Sequence, residues 1–263
     1  MEDLSYWQRQ IDDQPLFPDI VWSKPEQKSQ SGKLGLVGGN SSSFISVAEN
    51  CEVALKTGVG EVNILLPDSL KKNLPKTIIN VTYAPSNPSG SLAKQAIDQL
   101  NSLGQWANLI LLIGDTGQNS ETAILYEKFI SQYQGPLVIT RDAIDLLKNS
   151  SQTLIERPKT LIVASFAQLQ KIFQAVYYPK ILTFSMNLTN LVEAIHKFTI
   201  TYPTTILTFH DNNVLIAHDG RVTTTSWQNP LAIWRGQIAT KAAVYWLWNQ
   251  GKPLESITAS LSD

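Results

Sequence analysis

The chain has 263 residues, of which 43% are hydrophobic and 16% charged, and its 21 basic and 22 acidic residues give a formal net charge of −1. The length suits one large α/β domain or two small ones, and the balanced charge, without a basic stripe, argues against a nucleic-acid binder. A single cysteine, Cys51, excludes an internal disulfide and a cysteine-based zinc site and fits a reducing compartment.

Residues 1–32 are predicted to form an N-terminal arm, because they mix aromatic residues with prolines and show no clean periodicity. The four large aromatic side chains argue against disorder and favour packing on the chain's own domain or on a neighbouring subunit, so a homo-oligomer is one expected arrangement. Residues 1–10 begin acidic and polar, unlike a signal peptide, and no segment reaches the roughly 20 apolar residues that span a bilayer. We therefore expect a soluble, cytoplasmic protein with no membrane partner.

From Gly32 onward, apolar runs alternate with helical spacing. Residues 33–37 predict a strand and residues 43–57 a helix, and a second strand over 61–66 completes a βαβ unit. The same alternation predicts helices over 91–103, 120–132, 142–148 and 166–173, and strands over 107–113, 136–139 and 160–164. Continuous apolar strands of this kind are typical of a mostly parallel sheet covered by helices on both faces.

The periodicity changes near the C-terminus. Short strands are predicted over 204–209, 214–218 and 221–225, with tight turns at Asn212-Asn213 and Asp219-Gly220. A helix is predicted over 233–248, with a short helix after Pro253. Because no repeat or linker appears, residues 33–263 are predicted to form a single α/β domain.

Two glycine-containing loops follow predicted strands and are candidate ligand sites. One is Gly38-Gly39-Asn40 and the other extends from Gly114 to Gly117. Ligands of open α/β sheets bind beyond the carboxyl ends of the strands, where glycine allows close approach to the backbone. Neither loop matches a Walker motif or a dinucleotide-binding fingerprint, so ordinary tight turns are the alternative.

Few other side chains in the sequence suggest chemistry. His196 lies in a predicted amphipathic helix and is expected to be structural, and His210 and His218 flank the late hairpin without a carboxylate at metal-ligand spacing. We therefore predict no metal site in the protein itself. Asp142 opens a short helix, either as its N-terminal cap or as a functional carboxylate, and Asp115 either contacts a magnesium-bound phosphate or caps its own turn.

Four segments, taken in order, resemble motifs of one protein family. They are 32–40 (Gly-Lys-Leu-Gly-Leu-Val-Gly-Gly-Asn), 54–60 (Ala-Leu-Lys-Thr-Gly-Val-Gly), 113–117 (Ile-Gly-Asp-Thr-Gly) and 136–144 (Pro-Leu-Val-Ile-Thr-Arg-Asp-Ala-Ile). The family is that of the ribokinase-like, carbohydrate-kinase-like ADP/ATP-dependent NAD(P)H-hydrate dehydratases. The resemblance extends from about Gln27 to the C-terminus.

This resemblance implies a ribokinase-like fold with a C-terminal nucleotide-binding half. It also implies a reaction in which ADP or ATP, with Mg²⁺, drives the conversion of hydrated NADH or NADPH back to the reduced cofactor. The family's Gly-Thr-Gly-Asp motif supplies the base. By resemblance, the nucleotide-binding positions are Thr208, Phe209, His210, Arg235 and Gly236, and the substrate-binding positions are Gly38, Gly39, Asn40, Gly114, Gly117, Asp142 and Ser165.

The sequence departs from the family pattern at its functional positions. The Gly-Thr-Gly-Asp motif becomes 234–237, Trp-Arg-Gly-Gln, and the amide of Gln237 cannot accept a proton at neutral pH. The family's Thr-Pro-His ends here at Ser165, and its Gly-Glu becomes Ala-Gln at 167–168. Thr140 stands in place of the first aspartate of Asp-Ala-Asp, and the Lys-Gly-Ala segment falls on about 208–210.

These departures predict a divergent homologue of the dehydratases, acting in nicotinamide nucleotide repair, with impaired or lost catalysis. An active enzyme requires another carboxylate, such as Asp115 or Asp142, in place of the missing base. The alternative is a non-catalytic relative that keeps the fold to bind a nucleotide or a protein. A small-molecule kinase of the wider ribokinase-like group is a third interpretation, and it lacks the same aspartate.

Overall fold

One ten-stranded sheet forms the centre of the computed structural model, which describes residues 5–11, 14–72 and 80–262. The strands are β1 (Trp7–Gln10), β2 (Lys33–Gly38), β3 (Glu61–Pro67), β4 (Val81–Ala84), β5 (Leu109–Gly114), β6 (Leu137–Thr140), β7 (Thr160–Ala164), β8 (Thr205–His210), β9 (Asn213–His218) and β10 (Arg221–Ser226). Their order across the sheet is β1-β10-β9-β8-β7-β6-β5-β2-β3-β4.

Every neighbouring pair in this sheet is parallel except the two pairs that contain β9, which is antiparallel to β8 and β10. The turn after β9 is made by Asp219 and Gly220, both with positive φ, as predicted. The turn before β9 lies one residue earlier than predicted, with positive φ at Asp211 and Asn212. The mostly parallel α/β sheet of the prediction is confirmed.

Eleven α-helices accompany the sheet in the described residues: α1 (Pro18–Trp22), α2 (Ile45–Thr57), α3 (Ile97–Trp106), α4 (Ser120–Gln132), α5 (Asp142–Leu146), α6 (Ser151–Glu156), α7 (Phe166–Ala175), α8 (Leu188–Thr201), α9 (Pro230–Trp234), α10 (Gln237–Trp248) and α11 (Pro253–Ala259). No described helix combines the length and apolar character that a bilayer crossing requires.

The helices cover both faces of the sheet. Helices α3 to α8 bury their apolar side chains in one cluster, and α2, α9, α10 and α11 bury theirs in a second cluster. Successive residues of β5 alternate between the two, with Ile110 in the first cluster and Leu111 in the second. Both faces of the strand are therefore dry, which explains its unbroken apolar sequence.

The strand order reverses between β2 and β5. From β2 the chain adds β3 and β4 on one side, and β5 then pairs with the other side of β2. In open α/β sheets, such a reversal point is where ligands bind, beyond the carboxyl ends of the two strands. A ligand site is therefore expected at this edge of the sheet.

The described part of the N-terminal arm packs on its own chain. Strand β1 extends the sheet beside β10, where Trp7 Nε1 donates a hydrogen bond to Thr224 Oγ1 at 2.9 Å. Gln10 Nε2 reaches the carbonyl oxygen of Thr258 at 3.3 Å. Neither β1 nor β4 was predicted, because both are four-residue edge strands too short for a clear periodicity. The boundary between arm and domain at residue 32 stays a prediction.

The helix predicted over 91–103 begins only at Ile97. The carbonyl oxygen of Leu92 accepts hydrogen bonds from Thr122 Oγ1 at 2.7 Å and from Asn87 Nδ2 at 3.3 Å. These side chains satisfy this carbonyl outside a helix, and a 3₁₀ turn over Lys94–Ala96 leads into α3. The sequence does not show such contacts with another element.

The single helix predicted over 233–248 is wrong, since the structure divides it into α9 and α10 at Gly236. This glycine has φ +81°, a left-handed conformation that cannot continue a right-handed helix. The carbonyl oxygen before it, that of Arg235, accepts a hydrogen bond from Asn50 Nδ2 at 2.8 Å. A Cβ at position 236 would lie 2.5 Å from Ile113 Cδ1.

We expect Gly236→Ala to lower the free energy of unfolding by about 1 to 3 kcal/mol, from left-handed strain and overpacking. The matched control is Gly251→Ala, since Gly251 has no positive φ and a Cβ there would meet no atom within 4 Å. Chemical denaturation of both variants measures the difference. Equal stabilities for the two variants would contradict the assigned role of Gly236.

Candidate functional site

The two glycine loops meet beyond the carboxyl ends of β2 and β5. The backbone N–H of Gly39 donates to the carbonyl oxygen of Gly114 at 2.9 Å, and Asn40 Nδ2 donates to that of Asp115 at 2.7 Å. A Cβ on Gly38 would come within 2.3 Å of the Gly114 oxygen, so the close approach requires glycine. These candidate residues therefore form one structural unit at the reversal point of the sheet.

The carboxylate of Asp142 fills the loop that follows β5. It accepts hydrogen bonds from the backbone N–H groups of Asp115 at 2.8 Å, Thr116 at 2.9 Å and Gly117 at 3.0 Å, and from the Thr116 hydroxyl at 3.2 Å. Positive φ angles at Gly114, Asp115 and Gly117 turn these N–H groups toward one point, a backbone arrangement that binds anions. The chain's own aspartate occupies that anion position.

Both carboxylate oxygens of Asp115 also have partners within the chain. Its Oδ1 forms an ion pair with Arg141 Nη2 at 2.7 Å, and its Oδ2 accepts from the backbone N–H of Ser46 at 2.9 Å and from the Ser43 hydroxyl at 3.2 Å. The Ser46 N–H belongs to the first turn of α2, so Asp115 caps that helix from a different loop. The Asp115 side chain is only 9% exposed.

The N-terminus of α10 lacks a side-chain cap. Its first residue, Gln237, is half-buried, and the buried Gly236 before it donates its backbone N–H to the carbonyl oxygen of Ile233 at 3.0 Å. Arg235 is exposed and forms no ion pair with the described residues. Uncapped N–H groups and the positive end of the helix dipole favour an anion at this turn.

Asn50 connects this turn to the rest of the site. Its side chain is fully buried, and its Nδ2 donates to the carbonyl oxygens of Ser46 and Arg235, each at 2.8 Å. Its Oδ1 accepts from Thr240 Oγ1 at 2.7 Å. Because Ser46 also contacts Asp115, the α10 turn and the loop after β5 are both held by α2.

A cavity of about 330 Å³ lies beside this turn, between the ends of β6 and β7 and the end of α9. Its lining includes Arg141, Asp142, Ser165, Gln168 and Trp234. Ser165 caps α7 in a reciprocal arrangement with Gln168, whose Nε2 also donates to the Arg141 carbonyl oxygen at 2.8 Å. The candidate Ser165 thus has a structural role at the cavity wall.

The three candidates on β8, at positions 208–210, do not all lie at this site. Strand β8 lies three positions from β5 in the sheet, about 14 Å away at the usual strand spacing. Thr208 and His210 lie on the face covered by α7 and α8, where His210 Nε2 contacts the Met186 carbonyl oxygen at 2.7 Å and the ring stacks on Phe166. Phe209 packs on the opposite face, in the cluster that contains α10.

Other titratable groups of the described residues are poor candidates for a base. Burial, and secondarily the charge of Asp142, raises the pKa of the Tyr126 phenol, which stays neutral. Burial raises the pKa of the Cys51 thiol, with a further contribution from Glu52, which disfavours the thiolate. Burial lowers the pKa of His218, whose Nδ1 contacts the Thr205 hydroxyl at 2.9 Å. The described residues contain no group of three or more His, Cys, Asp or Glu arranged to hold a metal ion.

The sequence analysis missed Arg141 and Asn50. Arg141 adopts φ +58° and ψ −142°, a conformation that costs a non-glycine residue on the order of 1 to 3 kcal/mol and that clusters at functional sites. Its position between a strand end and Asp142 was the available signal. Asn50 lies inside a helix with apolar spacing and gave no signal, because its partners come from α10.

We expect Asp142→Asn to lower the free energy of unfolding by about 1 to 3 kcal/mol, since one amide oxygen cannot satisfy three N–H donors. The control is Asp145→Asn, which keeps an acceptor for Gln168 Nε2 and loses a 3.4 Å ion pair with the exposed Lys171, at a cost below about 1 kcal/mol. Denaturant unfolding of both variants tests the difference. A larger loss for Asp145→Asn would contradict the assigned role of Asp142.

No protein-family model matches the chain, and a search of curated proteins finds no match. Solved structures do match. A ribokinase-like superfamily protein from Enterococcus faecalis V583 superimposes with a TM-score of 0.72 at 15% identity, over 97% of this chain and 85% of that one.

Two enzymes are also similar in structure. An ADP/ATP-dependent NAD(P)H-hydrate dehydratase from Bacillus subtilis, co-crystallized with ATP/Mg²⁺, has a TM-score of 0.63 at 12% identity, over 94% of this chain and 86% of that one. A phosphomethylpyrimidine kinase from Clostridium difficile has a TM-score of 0.52 at 9% identity, over 88% and 99%. At these identities the comparisons establish the fold alone: the chain has a ribokinase-like α/β fold.

Proposed function

We propose that the chain is a divergent homologue of the ADP/ATP-dependent NAD(P)H-hydrate dehydratases, one that binds the phosphates of ADP or ATP at the turn between α9 and α10. In this proposal catalysis is impaired or lost, because Gln237 stands at the position of the family's base. The second ligand is hydrated NADH or NADPH. The motif resemblance in the sequence and the ribokinase-like fold support the assignment.

The observation that carries the proposal is the contrast between occupied and open anion positions at the carboxyl edge of the sheet. Asp142 fills the loop after β5, and Asp115 caps α2. The α10 turn has no such carboxylate, and the cation of Arg235 lies next to left-handed Gly236. A phosphate group supplies the charge that this turn lacks.

The residues around the α10 turn are poorly suited to remove a proton from a ligand. A general base must come within hydrogen-bond reach of the proton that it removes. The oxygens of Asp115 and Asp142 are bonded to partners outside residues 235–237, and Gln237 carries no basic atom. The engaged carboxylates support reduced turnover rather than a relocated base.

Magnesium enters the proposal only as part of the nucleotide complex. Mg²⁺ is usually held by one or two carboxylates together with substrate phosphates. In the described part of the chain, Asp115 and Asp142 are already bonded, and Asp145, which lines the cavity, accepts a hydrogen bond from Gln168 Nε2 at 2.8 Å and pairs with Lys171 at 3.4 Å. No group of three or more His, Cys, Asp or Glu is arranged there to hold a metal ion. The protein's own residues therefore do not fit a preformed magnesium site.

A second candidate function is a non-catalytic relative that binds a nucleotide or a protein partner. The hydrogen bonds of Asp115 and Asp142 favour this second function. Asp142 stabilises the loop after β5 and Asp115 caps α2, so neither carboxylate is free to act on a ligand. Fold similarity does not separate a catalyst from a binding protein. Measurements of binding and turnover do.

We expect ADP or ATP with Mg²⁺ to raise the thermal midpoint of the purified protein, because both bind only the native state. At 100 times the Kd the stabilisation is about 2.7 kcal/mol, or roughly 5 to 10 °C. Arg235→Gln should reduce the shift by at least half. The control Arg9→Gln, on the distant edge strand β1, should leave the shift unchanged. No shift with either nucleotide would overturn nucleotide binding.

We expect Gln237→Asp to raise turnover of NADH hydrate with Mg-ADP by about 10²-fold or more, because it restores a base at the helix N-terminus. Gln250→Asp, an exposed change beyond the other end of α10, is the matched control and should have no effect. Steady-state assays of the native chain and both variants give the comparison. Equal rates for the native chain and Gln237→Asp would contradict the assignment of position 237.

A further inference from the structure

Trp234 is the last residue of α9 and precedes the α10 turn by two positions. Its side chain is 55% exposed, although neighbouring Ile233 is buried in the core cluster. The indole lines the cavity of about 330 Å³ beside the turn. A large aromatic surface therefore faces solvent at the entrance to the candidate site.

The other tryptophans of the described residues differ from Trp234. Five of them make a hydrogen bond, a ring contact or a cation–π contact within the chain: Trp7, Trp106, Trp227, Trp246 and Trp248. Trp22 is 87% exposed and lines none of the described cavities. Trp234 alone combines an exposed indole with a position on a cavity wall.

The surroundings of the indole suit a flat ligand that carries a phosphate on one side. The cavity lining balances the cations of Arg141 and Lys171 with the carboxylates of Asp142 and Asp145, whereas Arg235, which follows Trp234 directly in the chain, forms no ion pair with the described residues. The volume of the cavity lies at the lower end of the range for small-molecule sites. An aromatic side chain stacks on planar rings with little regard to their substituents, and tryptophan offers the largest face.

We propose that Trp234 stacks on a planar heterocycle of the ligand whose phosphate lies at the α10 turn. This inference rests on the proposed function and adds to it the determinant that recognises the ring. Two rings share the required chemistry: the adenine of ADP or ATP, and the nicotinamide of the second ligand. Both are flat and both are joined to phosphate through ribose.

The experiment measures the dissociation constants of ADP, nicotinamide mononucleotide and ribose 5-phosphate by calorimetry for the native chain and three variants. Trp234→Leu removes the aromatic face, Trp234→Phe keeps part of it, and Trp22→Leu is the matched control. Base stacking on an aromatic side chain is worth about a 5- to 150-fold change in affinity. The thermal midpoint of each variant without ligand verifies folding.

We expect Trp234→Leu to weaken the binding of ADP or nicotinamide mononucleotide by that factor and Trp234→Phe to weaken it less. The affinity for ribose 5-phosphate should be unaffected by either change. Weakening of only one ring-bearing ligand identifies which ring stacks on the indole. Unchanged affinities in Trp234→Leu, with ADP still bound, would overturn the stacking role and leave the proposed function intact. A native chain that binds none of the three ligands would overturn the proposed function itself.

Discussion

The candidate site depends on one internal interaction, between the carboxylate of Asp142 and the backbone N–H groups of the loop that follows β5. Three consecutive N–H groups converge on it, at 2.8 to 3.0 Å. Without this anion, the left-handed residues Gly114, Asp115 and Gly117 would leave their N–H groups without a charged acceptor. The loop in turn positions Asp115, which caps α2 and pairs with Arg141.

The same contact occupies one anion position at the carboxyl edge of the sheet. A phosphate and a carboxylate compete for the same kind of N–H cluster, and two like charges do not share one. Asp142 occupies the loop after β5, and Asp115 occupies the start of α2. Of these two positions and the α10 turn, only the α10 turn has no carboxylate. Asn50 holds that turn against α2, so the open and the filled positions belong to one framework.

Much of the fold followed from the sequence, because strands buried on both faces are continuously apolar and the tight turns carry their own residue signals. Residues 120–132 were predicted as a helix and form α4 with those bounds. The division at Gly236 was missed, since the apolar spacing continues across it and the left-handed turn depends on contacts with Ile113 and Asn50. At the site, the glycine loops were found from their position after strands, whereas Arg141 and Asn50 were not.

The sequence by itself determined the alternation of strands and helices and the mostly parallel sheet, because these depend on local periodicity. The tertiary structure alone decided which carboxylates remain available. Asp115 and Asp142 are bonded by groups 25 or more positions away in the chain, and such partners leave no local pattern. The tertiary structure also placed residues 208–210 on two different faces of the sheet, because the side chains of successive residues in a strand point to opposite faces.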